Sequence, residues 1–128
     1  MPARDVLESF WAAMRANDWD RAAALFADDA VIEWPCSGER MKSPRAWADV
    51  QRRYPGDGTW RFDVHRLVVD ANLAVSEVTV TDGEQAARVV AFSEVAGERI
   101  ARQVEYWPEA YEPPAWRADF VERIEPFP

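Results

Sequence analysis

Two side chains in this sequence have the chemistry to move a proton near neutral pH, Glu105 and His65. Glu105 stands in the apolar stretch VEYW, a setting that raises the pKa of a carboxyl toward the range useful for acid–base catalysis. His65 is the only histidine, and an imidazole titrates near neutrality. Both are therefore candidate catalytic groups. The alternatives are a surface carboxylate paired with Arg102 or Arg88 and a histidine held by ordinary structural hydrogen bonds.

The face of the strand on which Glu105 lies decides between these interpretations. Strict alternation places Glu105 with Gln103 and Trp107, opposite Arg102 and Tyr106. A bulge would exchange the two faces, because one residue of slip turns every following side chain over. The sequence alone leaves both faces open for Glu105.

Seven tryptophans are an unusually rich supply for 128 residues. Large apolar side chains of this kind can wall a pocket for a flat apolar molecule, although any one of them is more often part of an ordinary core. The pocket that we predict is lined by Phe10, Met14, Trp34, Trp60, Tyr106 and Trp107.

Several other kinds of site lack the residues they need. One histidine and one cysteine, Cys36, match no metal-ligand set, so we expect no metal site. The five glycines are scattered in turns and form no phosphate-binding loop. No nucleophile elbow or Ser/His/Asp set is evident either. We therefore expect no cofactor.

Length and charge narrow the class of protein further. The chain of 128 residues suits one domain, 1–128, with a substantial core. Its net charge is −8 and it has no basic cluster, which argues against nucleic-acid binding and against docking on anionic membranes. No apolar run reaches the ~20 residues of a membrane span, and the N-terminus lacks a signal-peptide core. We expect a cytoplasmic protein whose partner is a small hydrophobic molecule.

Hydrophobic periodicity predicts helices first and strands afterwards. The helical segments are 2–16, 19–27 and 44–54, with a further turn or two around Trp116, Phe120 and Ile124. The strands are 30–34, 59–70, 73–81, 85–96 and 99–107, and short hairpin connections join the last four. Asp28-Asp29 is expected to form the turn between the second helix and the first strand. This order indicates an α+β domain with an antiparallel sheet.

Three helices can cover only one of the two faces of the predicted sheet. Val89 to Phe92 are apolar on both faces of their strand. We therefore expect a homodimer through the sheet, with the alternative that the C-terminal segment folds over the uncovered face.

Three segments together resemble the SnoaL-like branch of the nuclear transport factor two-like superfamily. They are the helix-to-strand junction ANDWDRAAALFADDAVIEWP, the loop and helix start SGERMKSPRAW, and the late strand ERIARQVEYW. The resemblance covers essentially the whole chain. It implies a cone, in which a strongly curved antiparallel sheet wraps three helices and leaves a central pocket.

The same resemblance argues against two reactions known in the superfamily. Ketosteroid isomerase-like members carry a catalytic aspartate where this chain has Trp34, and an oxyanion-binding tyrosine where it has Phe10. Epoxide hydrolases of the superfamily need an Arg-x-Asp pair that would fall on Val78 and Val80, and a late aspartate that would fall near Pro108. Neither set is present.

Polyketide cyclases of the SnoaL type use an acid on a late strand, and Glu105 meets that looser requirement. Three hypotheses of function follow. The first is a member that binds a small hydrophobic molecule, without an assigned activity. The second is a cofactor-independent cyclase, isomerase or dehydratase that uses Glu105 or His65 as acid and base. The third is a non-catalytic scaffold whose dimer is its purpose.

Overall fold

A computed structural model describes residues 2–127 of the protein. Its three helices are α1 at Ala3–Arg15, α2 at Trp19–Ala23 and α3 at Pro44–Arg53. Its six strands are β1 at Phe26–Trp34, β2 at Glu39–Arg40, β3 at Arg61–Asp70, β4 at Leu73–Thr81, β5 at Ala86–Ala96 and β6 at Arg99–Tyr106. A 3-10 helix, Ala115–Phe120, lies near the C-terminus.

Capping side chains begin two of the helices close to where the sequence predicts them. The Asp18 carboxylate accepts a hydrogen bond from the Arg21 N–H at the start of α2. The Ser43 hydroxyl accepts one from the Ala46 N–H, and Pro44 occupies the first helical position of α3. Within residues 2–127, no helix has the length and apolar character needed to cross a bilayer.

The second helix is shorter than predicted, and the first strand is longer. α2 ends at Ala23, and β1 already begins at Phe26, which pairs with Ile100 of β6. The expected turn at Asp28-Asp29 is wrong, because these residues continue the strand where its register with β6 shifts. Pairing with a strand more than seventy positions away decides the conformation here, and local propensity cannot anticipate it.

The strands form one curved, unclosed sheet in the order β2-β1-β6-β5-β4-β3. Every neighbouring pair is antiparallel except β1 and β6, which run parallel. The helices pack in the curve of this sheet, α1 against β3, β4 and β5, and α3 against β1. The predicted α+β cone is therefore confirmed, with one parallel pair that the sequence did not indicate.

Apolar residues at helical spacing seal α1 against the sheet. Phe10 is completely buried, and its ring packs edge-on against those of Trp11 and Phe26, with centroids 5.0 and 5.6 Å away. The Trp11 indole N–H donates to the Ser76 hydroxyl on β4 at 2.9 Å. These contacts fix the position of α1, and with it the aromatic rings that α1 presents to the interior.

The chain after the sheet forms a C-terminal arm, residues 109–127, without a buried side chain. Its 3-10 helix follows Pro113-Pro114, near the predicted helical turns. The apolar side chains expected to pack there are exposed instead: Trp116 by 76%, Phe120 by 82% and Ile124 by 79%. The arm therefore does not fold over the uncovered face of its own sheet.

Candidate functional site

A cavity of about 600 Å³ opens between the helices and the concave face of the sheet. All three helices and all six strands contribute to its wall, as do the loop after β1 and the segment that follows β6. Six of the seven tryptophans line it: Trp11, Trp19, Trp34, Trp47, Trp60 and Trp107. Its size and apolar wall suit a small organic molecule.

Glu105 is a buried carboxyl group in the wall of this cavity. Its side chain is 5% exposed, and the Trp34 indole N–H donates to Glu105 Oε1 at 2.9 Å. Burial raises the pKa of Glu105 to about 7, because removal from water penalises the charged form, whereas the hydrogen bond from Trp34 acts in the opposite direction. At neutral pH the group is thus available both as an acid and as a base.

A bulge between β5 and β6 turns Glu105 inward. Val95 pairs with Ile100 but Glu94 pairs with Arg102, so that Ala101 is the extra residue on β6. After the bulge Gln103 and Glu105 are buried, whereas Arg102 and Tyr106 face out.

Tyr106 does not line the cavity, so its predicted position in the pocket is corrected. Tyr106 is 42% exposed on the outer face of the sheet, where its ring meets that of Phe92 edge-on at 6.0 Å. Arg102, one of the two expected surface partners of Glu105, instead donates to Glu33. Arg88 likewise donates to Glu77 on the outer face.

His65 does not reach the cavity. It lies on the outer face of β3, where its Nε2 and the Thr79 hydroxyl share a hydrogen bond of 2.6 Å. A register shift between Val64 and Arg66 interrupts β3 at this point. Of the two alternative catalytic residues, Glu105 lines the cavity, whereas His65 lies on the outer surface and its predicted catalytic role is corrected.

The other predicted wall residues divide into two groups. Met14, Trp34, Trp60 and Trp107 line the cavity. Phe10 does not, since it is sealed in the core beneath the wall. Trp11, Trp19 and Trp47 also line the cavity, although the sequence does not indicate it. Helical spacing marks a buried side chain without showing whether that side chain meets a neighbour or a void.

The charged groups around the cavity are all acidic. Glu39 and Glu109 join Glu105 in the lining, and within residues 2–127 no lysine, arginine or histidine does so. The described chain also contains no group of three or more histidine, cysteine, aspartate or glutamate side chains arranged to hold a metal ion.

Two indole nitrogens of the wall, those of Trp47 and Trp107, have no hydrogen-bond acceptor among the described residues. Each has less than 1 Å² of accessible surface, so neither is presented to the open part of the cavity. The Trp34 indole differs, because it has its acceptor in Glu105.

The turn between β4 and β5 holds the rim of the cavity. The Asp82 carboxylate accepts hydrogen bonds from the backbone N–H groups of Gln85, Asp57 and Glu84. These bonds, that of Gln85 foremost, hold the pKa of Asp82 far below its usual range. The Gln85 side chain also donates to the Pro55 carbonyl at 3.0 Å. The loop before β3 is thereby tied to the sheet.

The fold and the site together define a cone-shaped α+β domain with an aromatic pocket and one buried acid. The SnoaL-like domain model matches residues 7–103, and the chain belongs to this family. No curated protein matches the sequence with significance.

Solved structures of the same fold are numerous. A candidate ketosteroid isomerase from Kribbella flavida is 33% identical, with 98% of this chain and 91% of that chain covered and a TM-score of 0.86. An NTF-2-like protein of unknown function from Burkholderia xenovorans is 27% identical, with coverages of 96% and 95% and a TM-score of 0.76. IdmH, a candidate polyketide cyclase from Streptomyces antibioticus, is 16% identical, with coverages of 84% and 92% and a TM-score of 0.71; that likeness shows the fold alone.

Proposed function

We propose that this protein binds a small hydrophobic molecule in its cavity and moves a proton on that molecule without a cofactor, with Glu105 as both acid and base. The observation that carries this proposal is a buried carboxyl in the wall of an aromatic cavity, with its pKa raised to about 7 by burial. A group with such a pKa can accept a proton from a carbon and return it to another position. Isomerisation, dehydration and aldol-type cyclisation all include such a transfer.

The position of Trp34 supports this proposal. In the isomerases that the sequence resembles, the strand position of Trp34 carries the proton-moving aspartate. Here β1 and β6 are paired neighbours, and the Trp34 indole nitrogen lies 2.9 Å from the Glu105 carboxylate. The acid of this chain therefore lies beside the corresponding position, on the adjacent strand. Trp34 acts as a positioning residue that orients the carboxyl.

The relatives support a proton transfer without choosing the reaction. The candidate ketosteroid isomerase is similar over nearly the whole chain. The candidate polyketide cyclase shares only the fold. Because both kinds of reaction pass through an enol or enolate, one assay of carbon acidity serves for either.

The test uses androst-5-ene-3,17-dione, a hydrophobic ketone with acidic C–H groups. Binding is followed by quenching of tryptophan fluorescence, and proton transfer by NMR of deuterium uptake from D₂O. We expect exchange above the buffer rate in the wild type and a loss of about 10²-fold or more in Glu105→Gln. Glu94→Gln, which removes an exposed carboxylate on neighbouring β5, is the control that should retain exchange. Saturable binding with exchange at the buffer rate would exclude proton transfer by Glu105 and would show that the protein only binds the molecule.

A further inference from the structure

The aromatic pairs in the cavity wall indicate the charge of its ligand. The rings of Trp34 and Trp107 meet at 69° with centroids 6.2 Å apart, and Glu105 is bonded to the first of them. Tyr54 and Trp60 form a second corner, at 86° and 5.8 Å. Aromatic corners of this kind present the electron-rich faces that attract a cation.

The acidic side chains around the cavity also favour a cationic ligand. Glu105 lies in the wall with Glu39 and Glu109, and no basic side chain of the described residues lines the cavity. An anionic ligand would meet no counter-charge there. The whole chain carries a net charge of −8, which attracts cations from solution. The N–H groups of Trp47 and Trp107 do not offset this, since each nitrogen has less than 1 Å² of accessible surface.

We propose that the ligand of this cavity is a hydrophobic ammonium compound, held between the Trp34–Trp107 corner and the Glu105 carboxylate. This inference rests on the proposed function, because it names the class of molecule on which the cavity acts. The apolar part of the ligand contacts the remaining indoles. Its nitrogen lies against the aromatic faces, which stabilise a cation most strongly where water is excluded.

The test compares benzoylcholine with 3,3-dimethylbutyl benzoate, in which carbon replaces the charged nitrogen. Binding of each compound to the full chain is measured at pH 8 by quenching of tryptophan fluorescence. We expect benzoylcholine to bind at least about tenfold more tightly. Equal or tighter binding of the neutral ester overturns the proposal, while the cavity remains a site for hydrophobic molecules. Failure of both esters and of the steroid dione to bind would overturn the proposed function as well.

Two matched pairs of variants locate the preference. Trp107→Leu should reduce the preference for the cation severalfold, whereas Trp116→Leu in the C-terminal arm should not change it. Glu105→Gln should weaken the binding of benzoylcholine without weakening the binding of the neutral ester. Glu94→Gln should leave the affinity for both compounds unchanged. An unchanged preference in both cavity variants would place the cation elsewhere and contradict the proposed position.

Discussion

Protonation of Glu105 is coupled to the folding of the whole domain. Its carboxyl leaves water on folding, and the pKa rises from 4.5 to about 7. The outer-face carboxylates behave in the opposite way, since hydrogen bonds from Arg102 and Arg66 hold the pKa values of Glu33 and Glu77 below their usual range. Their contribution is lost only at acidic pH. Between about pH 4.5 and pH 7, we therefore expect the change in stability to come from Glu105.

Stability should fall as pH rises through that window. The folded protein binds the Glu105 proton more tightly than the unfolded chain, so the stabilisation is full below pH 4.5 and is lost by about pH 7. The free energy of unfolding should drop by roughly 3 kcal/mol. Urea unfolding of the wild type and Glu105→Gln at several pH values measures this, and the variant should lose the slope. Persistence of the same slope in Glu105→Gln would assign it to another group.

Removal of the Trp34 indole should shift the titration of Glu105 upward. The hydrogen bond from Trp34 stabilises the carboxylate, so Trp34→Phe leaves the buried charge with less support and raises its pKa further. Carboxyl ¹³C NMR with labelled glutamate gives the midpoint directly. Trp116→Phe is the matched control, because Trp116 lies in the exposed arm. An unchanged midpoint in Trp34→Phe would mean that the indole does not set the pKa.

Short irregularities in the elements, rather than their regular parts, position the site. The bulge at Ala101 brings Glu105 inside. At the other side of the cavity, Asp82 ties the loop before β3 to the β4–β5 turn. Gly56 lies in that loop against the rings of the rim. A Cβ at Gly56 would collide with Trp60 Cζ2 and would approach Asp82 Oδ2 to 2.8 Å.

Gly56→Ala should therefore damage the rim. The added methyl must displace Trp60 from the cavity wall or strain the hydrogen bonds of Asp82. We expect a lower melting temperature and weaker quenching by the steroid dione. Gly58→Ala is the comparison, because it places a methyl in open space at a φ of +87° and costs about 1 kcal/mol of backbone strain without touching Trp60. Equal ligand affinity in the two variants would contradict the steric role of Gly56.

At the scale of the whole molecule, the cone and the C-terminal arm differ in burial. The cone has a continuous core that joins all three helices to the sheet. The arm contributes no buried side chain to that core, although it contains several large apolar residues.

Truncation after Glu109 should leave the cone folded. The removed residues, 110–128, bury no side chain among those described, so far-ultraviolet circular dichroism and the near-ultraviolet signal of the buried tryptophans should persist. Loss of the near-ultraviolet signal in a dilute truncated sample would show that the arm completes the core.

Much of the architecture follows from the sequence by itself. The sequence predicts strand 73–81 with the observed bounds, and the end of α3 to within one residue. The alternation of strands and the caps at Asp18 and Ser43 are local signals, which is why they can be recognised without a structure. The resemblance carried by the junction, the loop and the late strand led to the family that the domain model shows.

The inward position of Glu105 depended on tertiary structure. Alternation left its face open, and only the pairing of β6 with β5 introduced the extra residue that turned it inward and turned Tyr106 out. The parallel contact of β1 with β6 likewise brought Trp34 to Glu105, 71 positions apart in the chain. Composition and periodicity describe each segment separately, whereas a raised carboxyl pKa and an aromatic cavity exist only where distant segments exclude water together.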